Sequence, residues 1–181
     1  MNYAVIMAGG AGTRLWPISR ERLPKTALAL YTNQSMFQIA VERLAPLFTP
    51  QQIIVVAGAR HAAFLAEQVP EIPTENFILE PEGRGTASAI ALVAVHLLAR
   101  DPEASMAVLT ADHFIGKPQT FRQALAAALH VAQSDYLVTL GITPDSPSTE
   151  YGYIELGEQL LKVDGFKVLK AKRFVEKPDL N

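Results

Sequence analysis

Tyr3-Ala4-Val5-Ile6-Met7-Ala8-Gly9-Gly10-Ala11-Gly12-Thr13-Arg14-Leu15-Trp16-Pro17 joins an unbroken apolar run to a glycine-rich loop, and Pro24-Lys25 follow a little further on. A short apolar run without polar alternation predicts a strand buried on both faces. The glycines predict a turn whose successive N–H groups can face an anion with no Cβ in the way. Outward from this point, β-branched runs at 53–57, 77–79, 107–110 and 136–140 alternate with helical patterns at 35–47, 61–69, 86–100 and 119–133. Thr86 sits where a helix N-cap belongs. This βαβα rhythm implies an α/β fold with a mostly parallel sheet covered by helices on both faces. In such sheets ligands bind outside the carboxyl ends of the strands, so the loops beginning near Ala8, Glu80, Ala111 and Gly141 are the places to look for a site.

After Gly141 the pattern changes: Pro144, Asp145, Ser146, Pro147 and Ser148 crowd a turn-rich stretch, and 151–156 and 166–175 read as exposed strands. No repeat, low-complexity tract or long linker interrupts the 181 residues, which read as a single domain over 1–181. Hydrophobic residues make up 49% and charged residues 19%, which excludes a disordered chain. A net charge of −2 argues against a nucleic-acid partner. With no cysteine, disulfides, thiolate metal sites and a cysteine nucleophile are excluded. The start lacks the basic, long apolar pattern of a signal peptide. The longest apolar stretch, 87–99, is broken by Ser88 and His96 and is too short to span a bilayer. A soluble, cytoplasmic protein without a membrane partner is expected, and exposed strands late in the chain leave room for a homo-oligomer.

The first loop suits phosphate. Arg14 would offer a planar fork and Lys25 a point charge to the same phosphate chain. It is neither a P-loop, because Gly12 is followed by Thr13-Arg14, nor a dinucleotide fingerprint, because Leu15 stands where the third glycine belongs. A glycine-rich turn alone equally fits a ligand-free strand-to-helix connection. Asp112 closes the run Ala107-Val108-Leu109-Thr110-Ala111-Asp112-His113, where it could serve Mg²⁺ or simply a turn. His113 fits pocket lining, while His61, His96 and His130 lack ligand spacing. The basic residues Lys167, Lys170, Lys172 and Arg173 read as a solvated face.

Taken together, G-G-A-G-T-R-L-W-P and the later P-K resemble the signature of the sugar-1-phosphate nucleotidyltransferases, in particular the mannose-1-phosphate guanylyltransferase branch. Further motifs are similar: 77–92 reads FILEPEGRGTASAIAL, 151–154 reads YGYI and 174–178 reads FVEKP. Gly85 and Ser88 depart from the family's usual Asn and Pro. The resemblance implies a Rossmann-like, GT-A-like three-layer sandwich of the nucleotide-diphospho-sugar transferase kind. It implies GTP and mannose 1-phosphate as substrates, GDP-mannose and pyrophosphate as products, and Mg²⁺ as cofactor. It assigns Arg14, Lys25 and Asp112 to catalysis, with Asp112 also the metal ligand. Ala8, Gly9, Gly10, Gly12, Thr13, Glu80 and Gly85 fall to the nucleotide, and Gly152, Glu176 and Lys177 to the sugar phosphate. Glu80 suits guanine, since a carboxylate can accept from N1–H and the exocyclic amine together. The family's members continue well past the point matching residue 181, with a second acidic metal ligand there. A nucleotide-binding module without turnover therefore stands beside the enzyme as an alternative, and a nicotinamide-dependent oxidoreductase stands behind both.

Overall fold

β1 (Asn2–Met7) forms where the sequence offers consecutive apolar residues, and Tyr3, Ala4, Val5 and Ile6 are all buried. The computed structural model describes residues 1–9, 15–20, 24–30 and 32–179. β1 pairs in parallel with β2 (Ile53–Gly58) on one side and β4 (Ser105–Thr110) on the other, and β3 (Phe77–Glu80) extends the sheet beyond β2. The strand order is β3-β2-β1-β4. Burial on both faces of β1 and β2 agrees with the unbroken apolar runs, since a parallel sheet has no wet side.

Between the strands run α1 (Met36–Glu42), α2 (Ala59–Gln68) and α3 (Thr86–Arg100). Ser35 starts α1 with a capping box, its hydroxyl accepting from Gln38 N–H while the Gln38 side chain accepts from Ser35 N–H. Ala89, Val93 and Leu97 recur at helical spacing on α3 and pack onto Tyr3, Val5, Ile54, Val56 and Ile78 of the sheet. Val93 and Leu97 each contribute about 1.5–3 kcal/mol by leaving water. Among the described residues no helix is long and apolar enough to cross a membrane.

Two compact units divide the chain, Met1–Arg122 and Gln123–Asn181. The parallel sheet lies in the first. The second holds most of α4 (Pro118–Ala132) and an antiparallel hairpin of β5 (Gly152–Val163) and β6 (Phe166–Glu176). Asp164 and Gly165 turn this hairpin with φ of 46° and 88°, the paired positive values that a tight primed turn requires.

Three local expectations need correction. The helix expected over 35–47 stops at Glu42, because Pro46 lies four residues on and its ring would clash with the Glu42 carbonyl. Thr86 is the first helical residue of α3 rather than its cap, which is Gly85 at φ 89°, ψ 172°. The run 136–140 forms no strand. Tyr136, Leu137, Val138 and Leu140 are exposed, and the run finds no ladder partner among the described residues. An apolar run reports a segment's preference for burial, whereas a strand also needs a neighbouring edge to pair with.

Candidate active site

The carboxyl ends of the four parallel strands lie along one edge of the sheet, with Met7 beside Val56 and Thr110, and Gly58 beside Glu80. From β1 the chain moves outward through β2 and β3, then returns to place β4 on the other side of β1. The order therefore reverses between β1 and β4, and loops that part at such a point open a crevice for a ligand. Ala8 and Gly9 leave β1 there, and Ala111 and Asp112 leave β4. Ala8 is buried, with its N–H bonded to Val56 O at 2.9 Å. Gly10, Gly12, Thr13 and Arg14 lie outside the described residues.

Lys25 reaches this crevice from a 3-10 turn over Lys25–Ala27 that follows buried Pro24. Its Nζ donates to Asp112 Oδ2 at 2.8 Å, across 87 residues of sequence. Both side chains are about one-third exposed, so the pair is reachable by a ligand. Burial by itself would raise the Asp112 carboxyl, but the Lys25 hydrogen bond and charge outweigh that and hold it below its ordinary value. Asp112 is thus an anion held beside a cation, a combination able to hold metal and phosphate together. Among the described residues no three His, Asp or Glu side chains cluster around a common point.

Glu80, the last residue of β3, turns its carboxylate toward the first loop: a Cβ on Gly9 would stand 3.4 Å from Glu80 Oε2. Glu80 also lines a groove of about 280 Å³ with Pro81, Glu82, Arg84, Ser88 and Leu92. At the groove's edge Arg84 donates to Glu82 Oε2 through Nε and Nη2, at 3.0 and 2.9 Å. Nothing lies within 4 Å of where a Gly85 Cβ would sit, so backbone conformation rather than space favours glycine here. Its torsions belong to a region that other residues seldom enter.

In the second unit, β5 begins with Gly152 directly opposite Glu176 at the end of β6. A Cβ on Gly152 would stand 2.7 Å from Glu176 Oε2, so the bare glycine lets the carboxylate lie over the strand. The next residue, Lys177, donates its N–H to Tyr151 O at 3.1 Å and adopts φ 45°. A non-glycine residue there stores strain, which is common where a side chain must be aimed. The structure thus brings Gly9 to Glu80, Lys25 to Asp112, and Gly152 to Glu176 and Lys177. The residue that sequence reasoning passed over is Arg43, whose buried guanidinium binds the turn that carries Asp112.

A family model described as nucleotidyl transferase matches residues 3–181. The chain belongs to the nucleotidyl transferase family. Among its relatives, a mannose-1-phosphate guanylyltransferase of Escherichia coli strain K12 is 42% identical over 182 residues, covering 98% of this chain and 38% of the relative. Mannose-1-phosphate guanylyltransferase RfbM of Salmonella typhimurium is 45% identical over 181 residues, covering 98% of this chain and 37% of the relative. A crystal structure from Thermus thermophilus, described as a mannose-1-phosphate geranyltransferase, superposes with a TM-score of 0.85 at 38% identity over 98% of this chain and 50% of that one. A Helicobacter pylori structure described as mannose-6-phosphate isomerase follows the same fold, with a TM-score of 0.73 at 30% identity over 99% of this chain and 62% of that one. The chain spans less than two-fifths of the length of the Escherichia coli and Salmonella relatives. The expected α/β nucleotidyltransferase fold, with its mostly parallel sheet, is the one observed.

Proposed function

We propose that the chain carries the nucleotide- and sugar-phosphate-handling part of a mannose-1-phosphate guanylyltransferase, which transfers the guanylyl group of GTP to mannose 1-phosphate. The observation that carries this reading is the Lys25–Asp112 pair, 2.8 Å apart at the strand-order reversal beside Ala8 and Gly9. Relatives 42–45% identical over nearly all of this chain bear that enzyme's name.

In this reading an oxygen of the sugar 1-phosphate attacks the α-phosphorus of GTP, the bond from that phosphorus to the bridging oxygen breaks, and pyrophosphate leaves. The attacking oxygen is already ionised, so no protein base has to remove a proton. The protein's task is to align two anions and to offset their charge. Lys25 and Arg14 hold the triphosphate, and the glycine-rich sequence of the first loop suits it to contact an anion. Asp112 fits Mg²⁺, which takes one or two carboxylates and completes its shell with phosphate oxygens and water. When bound, the ion neutralises charge on the triphosphate. Glu80 reads the guanine edge, accepting from two donors that a pyrimidine does not present together. Glu176 accepts from sugar hydroxyls, Lys177 meets the sugar phosphate, and Gly152 gives them room. A cytoplasmic setting, where GTP and sugar phosphates are available, suits this chemistry.

The test pairs a pyrophosphate-release assay, with GTP and mannose 1-phosphate, with direct measurement of GTP binding. Release that depends on both substrates is the expected result. Binding without release would favour the nucleotide-binding module, and absence of both would refute the reading.

A further inference from the structure

Arg43, just past α1, is only 8% exposed, yet no carboxylate hydrogen-bonds or pairs with it among the described residues. Its Nη1 donates to His113 O at 2.6 Å and its Nη2 to Thr110 O at 3.3 Å. These carbonyls bracket Asp112, two residues before it and one after. The guanidinium also lies over the Phe121 ring, 5.8 Å from its centroid, and Arg122 Nη1 donates back to Arg43 O at 3.0 Å. Burial lowers the Arg43 pKa, with Asp112 opposing that fall, and its buried Nε finds no acceptor among the described residues. A core designed for stability alone has little use for a charge kept this way. A planar fork can grip two carbonyls at once, which a lysine ammonium on a flexible stem cannot do with the same geometry.

We infer that Arg43 is a positioning residue for Asp112: by clamping the carbonyls of Thr110 and His113 it fixes the turn at the end of β4 and aims the Asp112 carboxylate at Lys25 and the metal–triphosphate. The inference rests on the reading of Asp112 as the metal-binding carboxylate, and the same experiment separates the two. Mn²⁺ serves as the probe, titrated by electron paramagnetic resonance in the presence of guanosine 5′-(α,β-methylene)triphosphate. Losing a residue that orients a ligand typically weakens metal affinity about 10- to 100-fold. Arg43→Lys is expected to weaken Mn²⁺ binding by about tenfold, while nucleotide affinity without metal stays within about twofold. In an Asp112→Asn background, Arg43→Lys should have no further effect, because coupled residues are not additive. If Asp112→Asn weakens Mn²⁺ binding and Arg43→Lys does not, the Arg43 inference falls and the reading of Asp112 stands. If Asp112→Asn leaves Mn²⁺ binding unchanged, both fall. Should Arg43→Lys lose its cooperative thermal transition, Phe121→Leu removes the ring that holds the guanidinium in place and so loosens the clamp without deleting it. It should weaken Mn²⁺ binding about threefold, and unchanged binding would overturn the inference.

Discussion

Replacing Gly152 by Ala isolates the role proposed for Glu176. The new Cβ would stand 2.7 Å from Glu176 Oε2, whereas ordinary contact begins at 3.4 Å, so the carboxylate must retreat by roughly 0.7 Å. The other nearest atoms, Glu176 Cδ at 3.8 Å and Val175 O at 3.9 Å, need not move. Fold stability should change little. Alanine in a strand gains about 0.5–1 kcal/mol over glycine, and a side chain pushed off its rotamer costs about 0.5–1.5 kcal/mol. Binding is affected more, because a charge-assisted hydrogen bond to a sugar hydroxyl does not survive a displacement of that size. Such a bond is worth about 1.5–3 kcal/mol, which corresponds to about a 10- to 100-fold weaker Kd. Isothermal calorimetry with mannose 1-phosphate and with GTP is the assay. Affinity for the sugar phosphate should fall by that factor, with GTP affinity within about twofold and a melting curve close to the parent's. An unchanged Kd for mannose 1-phosphate in a folded variant would refute the reasoning.

Gly157→Ala makes the opposite case, since its Cβ would stand 2.7 Å from the backbone Lys170 O, which cannot swing aside. It should cost about 1–3 kcal/mol of stability, measured by urea unfolding, with little selective effect on GTP affinity. Gly85→Ala forces a residue with Cβ to φ 89° and should cost about 1–3 kcal/mol, visible as a lower melting temperature. Because the folded Asp112 carboxyl lies below its ordinary 3.8, its stabilising contribution is complete above that value and is lost as pH falls through the lower folded value. Urea midpoints followed from pH 5 down to pH 2 should therefore decline less for Asp112→Asn than for the parent. In Lys25→Ala the burial that opposes ionisation loses its main counterweight, so NMR should find the Asp112 carboxyl titrating higher, and turnover should nearly vanish.

The parallel sheet was legible because its strands are continuous apolar runs separated by helical patterns. Val5, Ile54 and Ile78 announce burial on their own. The helical pattern at 35–47 overruns the helix because Pro46 acts backward on Glu42, a range that apolar periodicity does not register. Tyr136, Leu137 and Val138 look like a strand and form none, because hydrophobicity states a preference for burial and names no partner. The hairpin's turn had a local signal in Asp164-Gly165, the strongest short hairpin pair. Lys25 and Asp112 are 87 residues apart, and only the resemblance put them in one site. Arg43, within Val41-Glu42-Arg43-Leu44, looks like any arginine on a helix surface. What sets it apart is a pair of backbone carbonyls contributed by a strand end some 70 residues away, and no pattern of side chains encodes that.

The central claim, guanylyl transfer carried by Lys25 and Asp112, is tested most directly with GTP labelled at the α-phosphate, mannose 1-phosphate and Mg²⁺. The label should appear in GDP-mannose, with one pyrophosphate released per sugar nucleotide, and Lys25→Ala should abolish the transfer. Label that stays in GTP, or that reaches GDP-mannose equally well without Lys25, would contradict it.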